Sequence, residues 1–308
     1  MKKIEGPLLP VFVIQISSYY FIRRSQNQIG QILKILNRIS HQLQCDADYR
    51  KRKRATYVFC IVMYSLIIAY LYTYFCSERR IIDQEYLKNY TLSRGFSKSS
   101  ANCLPVLRDF AVSFYTLGNS IVIIGTTACY TFLCVQMRCL FLHIANQIRS
   151  VKEDNAYQLL HAYDDLANVL SNIDDIFSYT AFVLVVSSMA ALFRSIYSLI
   201  FLLETHFEFF ILYWFSGLYY SIVLLSIIFS ASEAVQAGKV ARELVVSLPG
   251  FFPLRYTEMK KIVRRNFKRE IVLTLWKTYT IGRSLLFSEF GTLVTYGILI
   301  ATLGNVQI

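Results

Sequence analysis

The stretch "YQLLHAYDDLANVLSNIDDIFSYTAFVLV" (157–185) decides the fold. Leu159, Tyr163, Leu166, Val169, Leu170, Ile173 and Phe177 recur at spacings of three or four, which draws one apolar stripe along an α-helix. No Gly or Pro interrupts the pattern, and it runs directly into a block, 176–203, that is apolar on every face. A striped helix packs its stripe on neighbours and shows water its other side, whereas a helix apolar all round is buried or in lipid. The stretch therefore predicts one helix that starts in an aqueous bundle and continues into a bilayer.

Composition supports a membrane protein. Of 308 residues, 55% are hydrophobic, 15% aromatic and 17% charged, against roughly 25% charged in soluble domains. Six apolar blocks stand out: 7–22, 56–76, 110–135, 176–203, 209–231 and 285–304. Each approaches the roughly 20 residues that a spanning helix needs, and a bilayer interior admits only helices or closed barrels. The expected fold class is all-α, a polytopic membrane helical bundle of six spans forming one domain over 1–308. The net charge of +12 does not call for a nucleic-acid partner here, because the basic residues lie between the apolar blocks and orient them.

Positive residues favour the cytoplasmic side. The connections 23–54, 136–175 and 232–283 carry 9, 3 and 11 Lys/Arg, and the other side carries 8. The three long connections are thus expected inside, and the C-terminus outside. The one glycosylation sequon, Asn89-Tyr90-Thr91, falls in a loop on the outer side. Six spans would also put the start "MKKIEG" outside without an ordinary signal peptide, so a further span upstream is expected.

The internal connections carry helical patterns of their own. In "NQIGQILKILNRISHQL" (27–43), Ile29, Ile32, Leu33, Ile35 and Leu36 follow a helical pattern with Lys34 and Arg38 opposite. Such stripes need partners, which predicts an intracellular helical bundle. Asp164-Asp165 and Asp174-Asp175 are expected to meet basic stretches of that bundle rather than a metal.

Catalytic signatures are absent. Seven cysteines show no Cys-x-x-Cys pair, and the four histidines are far apart, so no metal site or cofactor is expected. Cys129 and Cys134 lie in an apolar block and read as packing residues, while Cys76 and Cys103 flank one polar loop and form a disulfide if that loop faces an oxidising space. No His-Glu-x-x-His, Gly-x-Ser-x-Gly or P-loop pattern occurs, and an enzyme is not expected.

The last block holds Thr295-Tyr296, then "GILIA" (297–301), then Thr302-Leu303. This resembles the C-terminal signature of the insect and arachnid gustatory receptors: Thr-Tyr, five apolar residues, Gln-Phe. The first half matches and the second does not. The segment 163–185 resembles the family's approach to its fifth span, and "IVLTLWKTYTIGRSLL" (271–286) its approach to the last one. The family is part of the seven-span chemoreceptor superfamily that also contains the insect odorant receptors, and the alignment makes the spans here its second to seventh. The resemblance implies a plasma-membrane, tastant-gated, non-selective cation channel in lipid. It implies a homotetramer or a heteromer with related receptors, one pore lined by each last helix, a tastant pocket among outer helix halves, and an intracellular anchor.

On that basis Thr295 and Tyr296 are pore or gate candidates, as is Thr302, which stands where the family has Gln. Glu289 either contributes an acidic ring at the inner pore end or pairs with Arg283 or a base from 260–269. Arg194, a charge inside a span, either lines the pocket or pairs with Glu204 or Glu208. Tyr213, Trp214 and Tyr219 either line the pocket or form an interfacial belt. A G-protein-coupled receptor is the alternative, but neither Asp-Arg-Tyr nor Asn-Pro-x-x-Tyr occurs. A transporter is a further alternative, with no internal repeat to support it.

Overall fold

The computed structural model describes residues 20, 23–43, 46–76, 98–149, 156–202, 207–251 and 271–282, with single positions at 85, 88, 89, 93, 257, 260, 261, 284, 285, 288, 291, 292 and 295. Five long helices dominate: α1 (Gln26–Gln42), α2 (Asp46–Cys76), α3 (Lys98–Arg149), α4 (Ala156–Leu202) and α5 (Phe207–Ser247). A 3-10 turn follows at Leu248–Phe251, and then a two-stranded hairpin of β1 (Thr274–Leu275) and β2 (Tyr279–Thr280).

Among the described residues, four helical stretches are long and apolar enough to cross a membrane: Tyr49–Cys76, Cys103–Arg149, Ala156–Leu199 and Phe210–Gly250. These contain the second to fifth expected spans. The first block, and most of the last, lie outside the described residues. At 1.5 Å per residue, α3, α4 and α5 measure about 78, 70 and 62 Å, against a hydrocarbon layer of about 30 Å. Each must therefore continue well beyond the bilayer, as the stripe in 157–185 requires.

The chain divides into two compact units. Unit 1 comprises 1–57, 127–186 and 224–289. Its core is the expected bundle: Leu159, Tyr163, Leu166, Val169, Leu170, Ile173 and Phe177 of α4 are all buried. Buried in the same unit are Leu133, Met137, Phe141 and Ile144 of α3 and Ile227, Ala231, Ala234 and Ala241 of α5. Rings interlock between α3 and α4, Tyr130 on Phe177 at 5.5 Å and Phe141 on Tyr163 at 5.8 Å, and Arg138 pairs with Glu233 at 3.3 Å. On α1 the buried stripe is Ile32, Leu36, Ile39 and Leu43. Leu33 and Ile35, expected on that stripe, are exposed, because each sits some 70–90° off its axis at 100° per residue.

Unit 2 comprises 58–126, 187–223 and 290–308. Here packing has no hydrophobic drive if lipid surrounds it, and small residues that allow close approach take over. The hydroxyls of Ser195 on α4 and Ser216 on α5 hydrogen-bond at 3.2 Å, and both residues are buried. Next to them, a methyl built on Gly217 would make ordinary contact with Ser195 Cβ at 3.8 Å.

Gly238 of α5 is different. A methyl there would stand 2.8 Å from Ile271 Cγ2, with Phe141 Cε2 at 3.4 Å. The missing side chain is the seat of Ile271, where the chain returns to the bundle after α5. Gly238→Ala is expected to destabilise by about 1–3 kcal/mol through overpacking despite its better helix propensity. Thermal unfolding of the detergent-purified protein checks this, and in an Ile271→Ala background, which removes the clashing γ-carbon, the added methyl should cost less.

Candidate functional site

The hairpin that precedes the last segment is built by a period of two. Ile271, Leu273 and Leu275 are buried while Trp276 is exposed, and Ile281 is buried on the return. Thr274 pairs with Thr280 and Leu275 with Tyr279, and the Ile281 N–H donates to the Leu273 carbonyl at 2.8 Å. The turn is closed by the Thr278 N–H donating to the Leu275 carbonyl at 3.0 Å. Its central residues, Trp276 and Lys277, have φ of 48° and 55°. Two successive left-handed residues make the tight hairpin geometry that Asn-Gly normally occupies. For Trp and Lys it costs on the order of 1 kcal/mol or more each, so the surroundings must hold it.

Those surroundings are α4. The Trp276 N–H donates to the Ser178 carbonyl at 3.0 Å, and its ring packs on Phe182 at 5.2 Å and Tyr179 at 6.4 Å. The buried Asp174 carboxylate accepts from the Thr274 N–H at 2.6 Å, from the Thr274 hydroxyl at 2.9 Å and from Lys277 Nζ at 2.6 Å. Lys277 Nζ also donates to Asp175 Oδ1 at 2.6 Å. Burying a carboxylate is costly unless donors replace its water, and here backbone, hydroxyl and ammonium all do so. Partial burial pulls the Lys277 ammonium down, but hydrogen bonds and attraction from Asp174 and Asp175 outweigh it and hold its pKa above the ordinary lysine value. The pair Asp174-Asp175 thus meets a base of its own chain. Nothing but the β-prone run Val272–Tyr279 announces the hairpin, with Trp276-Lys277 in place of turn residues. Among the described residues no group of His, Cys, Asp or Glu is placed to hold a metal.

In unit 2 the expected pocket residues separate. Arg194 is exposed on α4 and interacts electrostatically with Tyr115 of α3 and Tyr220 of α5. Tyr219 is buried, its ring set edge-on to Tyr220 at 5.0 Å, and its neighbours include Tyr64 of α2 and Ser120 of α3. Ser120 donates its hydroxyl to the Thr116 carbonyl at 2.6 Å, and among the described residues the buried Tyr219 hydroxyl has no well-formed hydrogen bond. Trp214 is exposed and stacks on Phe210 at 6.1 Å, about 140° around α5 from Tyr219. Tyr213 is half-buried and shares the face of Tyr220. The cluster that forms is Arg194 with Tyr115 and Tyr220, and Tyr219 with Tyr64 and Ser120. Of these, Tyr64, Tyr115 and Ser120 were not singled out, because tyrosines are spread through every span and only packing selects among them.

Of the last segment, Thr295 is helical and exposed, and its hydroxyl donates to the Gly291 carbonyl at 2.8 Å. Tyr296, Thr302 and Glu289 lie outside the described residues. Asn89 is exposed. Cys76 and Cys103 are exposed, free thiols. Cys134 is buried and Cys129 half-buried, as packing residues should be.

Four long apolar helices, extended past bilayer thickness into a packed bundle, define a polytopic membrane helical bundle. The fold is that of an insect olfactory receptor. The chain matches the structure of olfactory receptor OR5 from Machilis hrabei with a TM-score of 0.65 and 12% identity, over 94% of this chain and 78% of that one. It matches the same receptor in complex with eugenol with a TM-score of 0.67 and 12% identity, over 95% and 79%. No protein-family model matches the sequence, and no curated protein does.

Asp174→Ala strips the hairpin of its central acceptor: the half-buried Thr274 N–H and hydroxyl lose their partner, and the Lys277 ammonium keeps Asp175 alone. The expected cost is about 1–3 kcal/mol, and Trp276 reports it: in a Trp214→Phe background its fluorescence should shift to the red as the ring leaves Tyr179 and Phe182. The raised pKa of Lys277 fixes the sign of the pH dependence. The ion pair contributes fully below the unfolded lysine pKa of about 10.4 and is lost as pH rises through the higher folded value. A fluorescence titration should therefore stay flat through neutrality and turn only in strong alkali.

Proposed function

We propose that this protein is a chemosensory receptor subunit of the gustatory type, acting as a tastant-gated, non-selective cation channel in the plasma membrane. The observation that carries it is the likeness to the olfactory receptor OR5 fold over 94–95% of the chain. The Thr295-Tyr296 half of the terminal motif supports the gustatory assignment. Four copies surround one pore lined by the last segment, with Thr295, Tyr296 and Thr302 along it and Glu289 at its inner mouth. Thr295 is exposed on the single subunit, which suits a residue that faces a pore or a neighbour. The C-terminus lies outside, as the distribution of Lys and Arg favours.

The tastant binds in unit 2. Arg194 with Tyr115 and Tyr220 supplies a cation beside phenol rings, and Tyr219 presents a hydroxyl with spare hydrogen-bonding capacity. Tyr213 continues the Tyr220 face, and Trp214 borders the cluster from the lipid side. Such a site takes a small molecule with an apolar body and a few acceptor groups.

Whole-cell recording from cells expressing the chain, during a screen of tastants, tests this. Ligand-evoked cation current that persists when G-protein cycling is blocked is expected; its disappearance under the block would favour a G-protein-coupled receptor. Arg194→Gln should raise the half-maximal tastant concentration roughly tenfold, as loss of one charge-assisted hydrogen bond does, with maximal current kept. An epitope placed after Ile308 should stain on unpermeabilised cells.

A further inference from the structure

We infer that the N-terminal end of α2 is a binding site for the headgroups of anionic phospholipids in the adjacent leaflet. It rests on the membrane-spanning fold and not on the channel function proposed above. Arg50, Lys51, Arg52, Lys53 and Arg54 are five successive cations on one helix. Only Asp46 and Asp48 oppose them on that helix. Like charges three and four apart repel, so the run needs anions from elsewhere.

Register and depth point to lipid as the source. The most exposed apolar residues of α2 are Tyr57, Ile61, Ile68 and Tyr72, at 59%, 68%, 64% and 69% exposure. With Arg50 and Arg54 they form one stripe at helical spacing, so the two guanidinium groups prolong the face that lipid tails cover. Ala55 to Cys76 measures about 33 Å at 1.5 Å per residue, which matches the roughly 30 Å hydrocarbon thickness. Arg54 then stands at the start of the headgroup layer. Arg50 to Arg54 covers about 6 Å more, close to the 5–7 Å depth of that layer.

The end of the helix is held in place. Tyr49 packs edge-on against Phe132 of α3 at 5.9 Å, and the Thr56 hydroxyl donates to the Arg52 carbonyl at 3.1 Å. The Tyr49 contact sets which side of α2 faces α3, and Arg50, Lys51, Lys53 and Arg54 are all exposed while Arg52 is half-buried. Arg52 Nε and Nη2 are shut from solvent and have no hydrogen-bond partner among the described residues. A guanidinium in that condition donates to a phosphate or carboxylate oxygen that reaches it from the rim. Polybasic segments next to a span attract anionic lipids in this way, and the chemistry fits phosphatidylserine or a phosphoinositide.

The test is electron spin resonance on the full chain reconstituted in phosphatidylcholine, comparing spin-labelled phosphatidylserine with spin-labelled phosphatidylcholine. Wild type should hold the serine lipid several-fold more strongly, and raised salt should weaken that preference. Arg50→Gln/Lys53→Gln/Arg54→Gln should bring it to about one, since the loss of even one cation at the surface is worth about five-fold. Far-UV circular dichroism checks that its helices persist, and Arg54→Lys, which keeps the charge, should retain the preference. Unchanged selectivity in the triple variant would overturn the proposal. An equal loss in a Lys239→Gln/Lys261→Gln control would also overturn it, by showing that any surface charge suffices. Displacement of the label by inorganic phosphate at matched concentration would reassign the site to soluble anions, against the proposal.

Discussion

A helix of 60–80 Å in a 30 Å hydrocarbon layer must satisfy two solvents, and the structure follows from that mismatch. Every backbone N–H and C=O in the lipid has to be paired within the segment, so helices are imposed there before any side chain is considered. Beyond the lipid the same helices meet water, and only a striped helix with partners is stable in that setting. The change is visible within α4: its first half carries the buried row from Leu159 to Phe177, and its second half is apolar on all sides with Ser195 as its close contact.

The two settings also divide the kinds of contact. In unit 1, large apolar side chains, interlocked rings and the Arg138–Glu233 pair hold α3, α4 and α5. In unit 2, hydroxyls and glycine make the described helix contact, and aromatic side chains such as Phe114 and Trp214 turn outward. The hairpin belongs to the first setting. Its left-handed Trp276-Lys277 turn is held because α4 supplies a carboxylate, a carbonyl and two rings in register.

The bundle was legible because its signal is periodic: seven named positions of α4 were expected to share a face, and all seven are buried. α1 was legible only in part, since Leu33 and Ile35 are apolar without being on the stripe, and a short amphipathic helix tolerates such residues at the edge. The hairpin was not legible. Its turn carries neither Asn nor Gly, and its anchor, Asp174, lies 100 residues upstream of Thr274, so the pairing exists only in three dimensions. The outer cluster failed for a related reason: Tyr219 and Trp214 look alike in a string of aromatics, and their opposite exposure comes from the rotation of α5.

That separation of 100 residues bears on biogenesis. α3 and α4 leave the ribosome and cross the membrane long before Ile271 to Ile281 exist, yet those late residues fill the seat at Gly238 and cap Asp174. Until those residues are made, the Gly238 seat of α5 and the Asp174 carboxylate of α4 stay uncovered. During that interval they are targets for chaperones or for premature association with sister chains, and truncation or stalling ahead of Ile271 would leave an inserted but unsealed protein for quality control to remove.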